Sequence, residues 1–443
     1  MDASDSARQV VECRVCGKND WQEVVSFGLV PLANGFLDPA DSYDDEPYYP
    51  LSVISCRSCR LMSLTHVVDP EVLYRAYPYV TSDSDMIINH MRYVAELCRQ
   101  RFDMAPGSFV VEIGSNTGRQ LTMFQEAGMR TLGVDPAHNI ARVANENGVE
   151  TLPEFFSAEM AGYIKKLYGQ ARLILGRHVF AHIDDVAGIA AGVRELLSPD
   201  GVFAIEVPYA LDLLERVAFD TIYHEHLSYY AVDTFVTLFE QHGLRVLDVE
   251  RLSVHGGSIL VFVGHANGPW LVRPAVQELR TLEELAGLHN DATYHQFVSD
   301  VEQIRRELPT LVRDLVADGK RIAGYGAPAK GNTVLTVCGL GCDELEFCSD
   351  TTELKQGKVL PGTHVPVRTP EYARAHMPDY YLLLAWNYAD EIIGKEPAFL
   401  ARGGKFILPI PRPSIVATDG LHPDAGDSRP LDRAAVPQQL AGR

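Results

Sequence analysis

The sequence has few positive charges, no apolar run long enough to cross a membrane, and no export signal at its start. Its 443 residues include 39 basic and 59 acidic side chains, for a net charge of −20 at pH 7. Such a surface repels nucleic acid and anionic lipid, so neither is an expected partner. The missing apolar run and signal predict a cytoplasmic protein without a membrane span. A small, enclosed basic pocket for an anionic ligand is still compatible with this charge.

Four of the eight cysteines stand in two pairs, Cys13-x-x-Cys16 and Cys56-x-x-Cys59. Paired thiols at this spacing can close two chelate loops around one tetrahedral zinc ion. The run between the pairs is longer than in usual zinc ribbons, so we expect a ribbon with an excursion. Such a site has no open coordination position, which predicts a structural zinc. Redox-active or incidental cysteine pairs are the alternative.

A strand followed by a glycine-rich turn and a helix marks a cofactor site beginning at residue 109. Gly114 and Gly118 allow tight turning and close approach of a ligand, and Asn116 tolerates a positive φ angle. Asp135 ends the next strand, where a carboxylate can accept hydrogen bonds from ribose hydroxyls. The loop alone leaves a nicotinamide cofactor and S-adenosylmethionine (SAM) open, as well as a degenerate nucleotide-fold loop. Glu112, just before the first glycine of the pair, favours the methyltransferase version.

Residues 221–230 combine histidines, tyrosines and a glutamate after a strand of the same sheet. Methyl transfer to carbon needs a base for the proton beside a carbonyl and donors for the enolate oxygen. A histidine and a tyrosine suit these roles near neutral pH. A hydrogen-bonded structural corner is one alternative, and a metal site built from His224 and His226 with Glu225 is another.

Two further residues are candidates for the same pocket. His182 follows another strand at this edge of the sheet, and Tyr77 begins the preceding helical segment. For each, structural packing is the alternative to a role in the pocket.

A second glycine-rich loop, residues 324–333, again follows a strand and begins a helix. Small residues, one lysine and a helix N-terminus together suit a phosphate group. The order of residues is not that of a Walker loop, so ATP hydrolysis is not indicated. The loop predicts diphosphate binding, with a turn that merely needs small residues as the alternative. Its candidate ligand-binding residues are Tyr325, Lys330 and Asn332.

The alternation of strands and helices predicts an α/β protein with a parallel sheet covered on both faces. We expect a zinc-binding domain over residues 1–70 and a Rossmann-like SAM methyltransferase domain over 71–275. A second Rossmann-like, substrate-binding domain over 276–412 should begin with one long helix, residues 276–315. Residues 413–443, rich in proline and charge, predict a disordered tail.

Taken together, these motifs resemble those of the sugar C-methyltransferases that build branched deoxysugars for antibiotics. Members share a four-cysteine zinc domain, a central SAM domain and a C-terminal Rossmann-like domain, and the resemblance covers roughly residues 10–412. The motifs that carry it are Glu112-Ile113-Gly114-Ser115-Asn116-Thr117-Gly118, Tyr223-His224-Glu225-His226-Leu227-Ser228-Tyr229-Tyr230 and Gly324-Tyr325-Gly326-Ala327-Pro328-Ala329-Lys330-Gly331-Asn332-Thr333.

This resemblance implies SAM-dependent methylation of a dTDP-4-keto-deoxysugar at a carbon beside the ketone, at C3 more often than at C5. It also implies that His226 is the base, assisted by Tyr223, Glu225, Tyr77 and His182. The second loop and His224 would hold the nucleotide sugar. We expect a monomer or small homo-oligomer. A zinc-ribbon RNA methyltransferase and a non-catalytic nucleotide-sugar-binding protein are the main rivals; a metal-dependent O-methyltransferase is the weakest, for lack of a suitable carboxylate set.

Overall fold

The computed structural model describes residues 6–74 and 84–417. Tyr77, expected at the pocket, lies outside the described residues. Within them, the chain forms three α/β or β units that pack against one another. No helix in these ranges is long and apolar enough to cross a bilayer.

The N-terminal unit is a small antiparallel β structure that carries both cysteine pairs. Its central strand buries every second side chain along most of its length, as expected for a strand with one face on a core. One strand of its main sheet comes from far along the chain, so the order is β11-β4-β3-β2. The elements are β1 (Ala7–Gln9), β2 (Trp21–Pro31), β3 (Tyr48–Cys56), β4 (Met62–Leu64), β5 (His66–Val68) and α1 (Pro70–Tyr74), joined by β11 (Ser228–Tyr229).

The central unit is a seven-stranded sheet of order β12-β13-β10-β9-β6-β7-β8 with helices packed on it. The interior strand β6 is buried at all five positions, which explains its mainly apolar sequence. The elements are α2 (Asp85–Arg101), β6 (Phe109–Ile113), α3 (Arg119–Glu126), β7 (Arg130–Val134), α4 (His138–Glu146), β8 (Thr151–Leu152), α5 (Ala158–Tyr168), β9 (Ala171–Arg177), α6 (Val186–Leu196), β10 (Leu197–Pro208), α7 (Ala210–Glu215), α8 (Val232–Gln241), β12 (Leu244–Leu252) and β13 (Ser258–His265).

The expectation of a purely parallel sheet is wrong at one edge of this unit. Strand β13 runs antiparallel to both of its neighbours, β10 and β12. The short connection between β12 and β13 explains this, because a parallel pair needs a crossover of a dozen or more residues. The five strands from β10 to β8 pair in parallel, as expected.

The C-terminal unit is a six-stranded sheet of order β16-β15-β14-β17-β18-β19. Its first four pairings are parallel, which gives a second Rossmann-like sheet. The elements are α9 (Pro274–Leu285), α10 (Asp291–Ala317), β14 (Ile322–Tyr325), α11 (Ala329–Cys338), β15 (Cys348–Ser349), β16 (Val367–Arg368), α12 (Pro370–Ala375), β17 (Tyr380–Leu383), α13 (Ala389–Lys395), α14 (Pro397–Ala401), β18 (Lys405–Leu408) and β19 (Ser414–Val416).

Two sequence-based expectations fail in this unit. The single helix over 276–315 is broken between α9 and α10, where Gly287 takes a positive φ of 73° that ends a helix. The tail does not begin at 413, because β19 pairs antiparallel with β18 and buries Val416. Residues 418–443 lie outside the described part of the chain.

Candidate active site and zinc centre

The four paired cysteines converge as the spacing predicted. Their sulfur atoms all lie within 4.8 Å of one another, with Cys13 and Cys59 3.4 Å apart and Cys16 and Cys56 3.5 Å apart. Four thiolates on a tetrahedral zinc lie about 3.8 Å apart, since Zn–S bonds are about 2.3 Å long. The donor set therefore fits zinc. With four protein ligands, the site leaves no position for a substrate.

The first glycine-rich loop begins at the carboxyl end of β6, and both of its glycines have a left-handed backbone conformation. Gly114 has a φ of 66°, and a Cβ placed there would lie 2.7 Å from Val179. Gly118 has a φ of 77°, and its Cβ would lie 2.6 Å from Val149. Asn116 adopts a φ of 48°, as its tolerance of this region suggested. A side chain at either position would therefore clash with a packed valine, so this tight turn requires glycine.

Two buried carboxylates flank this loop. Asp135 accepts hydrogen bonds from the backbone N–H groups of Asn116 and Ala137, at 2.8 and 3.0 Å, which tie the loop to the end of β7. Glu112 is buried, and its Oε2 has no hydrogen-bond partner among the described residues. Burial raises the pKa of Glu112 to about 8. A cationic ligand such as SAM, which carries an ammonium and a sulfonium group, would supply the missing partner and favour the charged form of this carboxyl.

Sequence reasoning missed a charged cluster beside the loop, centred on Glu206 at the end of β10. Its carboxylate lies 2.6 Å from Nε of Arg177, 2.7 Å from Nε2 of His90 and 3.2 Å from Nε2 of His178. Burial alone would raise the pKa of Glu206, but these partners hold it well below its usual range. The available signal was a pair of opposite charges, Arg177 and Glu206, at matched ends of adjacent parallel strands.

The segment from 221 to 230, here called the catalytic loop, fixes the tautomer of His226. Its Nδ1 lies 2.8 Å from the backbone oxygen of Thr221, which can only accept, so Nδ1 carries the proton. Nε2 therefore presents its lone pair, and the hydroxyl of Tyr223 donates to it at 2.8 Å. An imidazole held in this way is ready to take a proton at Nε2.

The surroundings of His226 keep it uncharged. Burial is the main cause that holds the pKa of His226 well below its ordinary value, and the nearby His182, Lys330 and His178 act in the same direction. The ring of His182 stands nearly perpendicular to that of His226, with centroids 4.9 Å apart. Burial also lowers the pKa of His182 to about 4. Both rings are thus neutral at physiological pH.

The other two members of the predicted cluster face different surroundings. Glu225 is buried and accepts a hydrogen bond at 2.6 Å from the side-chain amide of Asn34, in the zinc domain. His224 is buried, and its ring lies at 68° to that of Tyr49 with the centroids 5.8 Å apart. His224 and Asn332 line one small cavity of about 10 Å³, which has room for about one water molecule.

The predicted ligand-binding residues of the second loop contact different domains. Tyr325 donates its hydroxyl to Glu396 at 2.8 Å, within the C-terminal domain. Lys330 instead reaches the central domain, where its ammonium lies 3.5 Å from the buried carboxylate of Asp220. Trp386 donates its ring N–H to the same carboxylate oxygen at 2.6 Å. Lys330 therefore contacts the short helical turn that leads into the catalytic loop.

Comparison with known proteins identifies the family of this chain. The sequence matches three domain models, described as a zinc binding domain (residues 13–74), a methyltransferase domain (89–249) and a C-methyltransferase C-terminal domain (253–411). C-methyltransferase NovU of Streptomyces niveus is 52% identical over 415 residues, or 94% of this chain and 99% of NovU. The chain belongs to the C-methyltransferase family. This C-methyltransferase thus uses SAM as its cofactor and holds zinc in its Cys₄ cluster.

Solved structures similar to this C-methyltransferase cover mainly one domain's length of it. PH0226 from Pyrococcus horikoshii OT3 is 15% identical, covering 43% of this chain and 97% of that chain, with a TM-score of 0.34. Magnesium protoporphyrin IX methyltransferase from Synechocystis PCC 6803, with bound SAM, is 10% identical, covering 43% and 88%, with a TM-score of 0.32.

Proposed function

We propose that this C-methyltransferase methylates a dTDP-4-keto-deoxysugar at a carbon next to its ketone, in the biosynthesis of a branched deoxysugar for a natural product. The single observation that supports this most is the neutral His226, whose Nε2 lone pair is held by the hydroxyl of Tyr223. A carbon nucleophile needs a base that removes a C–H proton, and a ketone makes the neighbouring C–H acidic. C3 and C5 both flank a C4 ketone.

His226 and Tyr223 divide the chemistry between them. Nε2 of His226 takes the proton from the sugar carbon, and the electrons of the broken C–H bond move onto the ketone oxygen as an enolate. The hydroxyl of Tyr223, which donates to Nε2 before substrate binds, is then free to donate to that oxygen. Such a donor is worth about 10²- to 10³-fold in kcat when it meets developing charge.

Lys330 supplies the positive charge on the same side of the site. Its ammonium is paired with Asp220, on the turn whose Thr221 carbonyl holds Nδ1 of His226. A cation here favours the enolate and disfavours premature protonation of the base. His182 packs against the ring of His226, and Glu225 precedes it in the chain; we assign both to orienting the sugar and its carbonyl.

The cofactor and the nucleotide end are assigned to the two glycine-rich loops. The tight turn at Gly114 and Gly118, with Glu112 and Asp135, would hold SAM, which when bound supplies a methyl group on a positively charged sulfur to a carbon nucleophile. The N-terminus of α11 would hold the diphosphate. The identity to C-methyltransferase NovU along the chain favours carbon methylation over the RNA methyltransferase and binding-protein alternatives.

Deuterium exchange into a panel of dTDP-4-keto-deoxysugars, followed by NMR, tests this proposal. We expect enzyme-dependent exchange at one carbon flanking the ketone, followed by methylation at that carbon when SAM is added. His226→Asn should abolish both, because the amide cannot accept the proton as a base. The carbon that exchanges distinguishes C3 from C5. Methylation of an oxygen or nitrogen, or no exchange with any 4-keto sugar, would overturn the proposal.

A further inference from the structure

The catalytic loop packs on the zinc domain as well as on the central domain, because its C-terminal end adds a strand to the zinc-domain sheet. Ser228 and Tyr229 form β11 and pair antiparallel with Ser63 and Met62 of β4. The N–H of Leu64 also donates to the carbonyl oxygen of Leu227 at 3.1 Å. The zinc domain thus holds the backbone from Leu227, the residue directly after His226, onward.

A residue inside the first cysteine pair holds the same backbone. Arg14 stands between Cys13 and Cys16, and its Nη1 donates to the Leu227 carbonyl at 2.9 Å and to the Ser228 hydroxyl oxygen at 2.8 Å. Only 5% of its side chain is exposed, so these hydrogen bonds are shielded from water. Breaking hydrogen bonds from a buried charged donor is costly, because it leaves buried polar groups without partners. These bonds therefore fix the position of the backbone that accepts them.

A second zinc-domain residue reaches the catalytic loop from its other side. Asn34, in the excursion between the cysteine pairs, donates to Oε1 of Glu225 at 2.6 Å. The two contacts bracket His226, because Glu225 precedes it and Leu227 follows it. The zinc domain therefore contacts the loop at Glu225 and Leu227, the residues immediately before and after the residue assigned as the base.

We propose that Arg14 and Asn34 are positioning residues for the methyl transfer, through which the folded zinc domain sets the place of His226. The inference rests on the proposed role of His226 as base. Proton transfer from carbon demands tight geometry, and a misplacement of about 1 Å can cost about 10²-fold in rate. The zinc domain then contributes to catalysis by positioning His226, although its zinc does not contact the substrate.

The two cysteine pairs provide a matched control. Arg57 holds the same position in the second pair as Arg14 in the first, but its side chain is 43% exposed and its ion pairs go to Asp20 and Asp291. We expect Arg14→Met to lower kcat for deuterium exchange by roughly 10- to 100-fold. Its KM, bound zinc and SAM affinity should match those of the wild type. Arg57→Met should leave all four quantities unchanged.

The position of the base can be followed directly by NMR of ¹³Cε1-labelled histidine, with the His226 signal assigned by His226→Asn. We expect this signal to shift in Arg14→Met and in Asn34→Ala, and to stay in place in Arg57→Met. Equal kcat and an unmoved signal in Arg14→Met and Arg57→Met would overturn the inference. So would loss of zinc from Arg14→Met in proportion to its lost activity, because Arg14 would then serve only the metal site.

The inference and the proposed function fail in different ways. If wild-type enzyme exchanges no 4-keto sugar, the proposed substrate is wrong, while the histidine signal still tests the positioning role. If Arg14→Met does not fold, Asn34→Ala decides the question from the other side of the loop. A normal kcat and an unmoved histidine signal in Asn34→Ala would then refute the inference.

Discussion

Replacing Tyr223 by phenylalanine isolates the contact that the proposed mechanism depends on most. The hydroxyl donates to Nε2 of His226 at 2.8 Å, and the two rings lie with centroids 4.1 Å apart. Phenylalanine keeps the ring packing and removes only the donor. The expected loss of stability is about 1 kcal/mol, the net value of one hydrogen bond. The variant should therefore fold and bind SAM normally.

The catalytic loss should be much larger than the loss of stability. If Tyr223 donates to the enolate oxygen, its removal should lower kcat by about 10²- to 10³-fold, or roughly 3–4 kcal/mol in the barrier. The pH profile should stay that of the wild type. Burial is the main cause of the low pKa of His226, and Tyr223→Phe does not relieve it. The rate requires the neutral ring, so the acid-side fall in rate should remain at the same pH.

The assay is deuterium exchange into the keto sugar, measured between pH 4.5 and 8 and compared with methyl transfer. Tyr230→Phe is the control, since it also removes a buried hydroxyl from the catalytic loop, one that donates to the carbonyl of Phe180. We expect its kcat to stay within about threefold of the wild type, as for a lost hydrogen bond of modest value. A Tyr223→Phe enzyme with the kcat of Tyr230→Phe would refute the assigned role.

Three further changes test other parts of the molecule. Gly118→Ala places a Cβ 2.6 Å from a valine side chain at left-handed backbone, so we expect a loss of about 2–4 kcal/mol and weaker SAM binding by calorimetry. Gly148→Ala, also left-handed but with open space around it, should cost only about 1–2 kcal/mol. Cys56→Ser should release zinc, measured by elemental analysis, and reduce folding or solubility; a folded, fully active zinc-free variant would contradict a structural metal. Glu283→Ala removes the acceptor for the buried hydroxyl of Tyr209 at 2.9 Å and should lower the free energy of unfolding by about 1–3 kcal/mol in urea titration, with Glu283→Gln losing less.

The parts of the fold that the sequence predicted are those set by local pattern. The cysteine spacing, the glycine turn after β6 and the buried apolar strands each follow from residues close together in the chain. The helix and tail predictions were wrong where the local sequence pattern was not enough to define the element. One continuous helix was expected over 276–315 because its amphipathic period persists on both sides of Gly287. The tail was placed too early because β19 is only three residues long and follows a proline-rich stretch, so it shows no strand pattern of its own; its pairing with β18 makes it a strand.

The sequence by itself determined which chemistry the chain carries: a thiolate zinc site, a cofactor loop, and a histidine beside a tyrosine. Only the tertiary structure decided how these parts work on one another. It brings Arg14 to Leu227, Asn34 to Glu225 and Lys330 to Asp220. It also places a backbone carbonyl where it accepts from Nδ1 of His226 and so fixes the tautomer. The physical reason is that such contacts join residues far apart in the chain, and they leave no periodicity or spacing in the sequence. They arise only when three separately patterned domains pack around one loop.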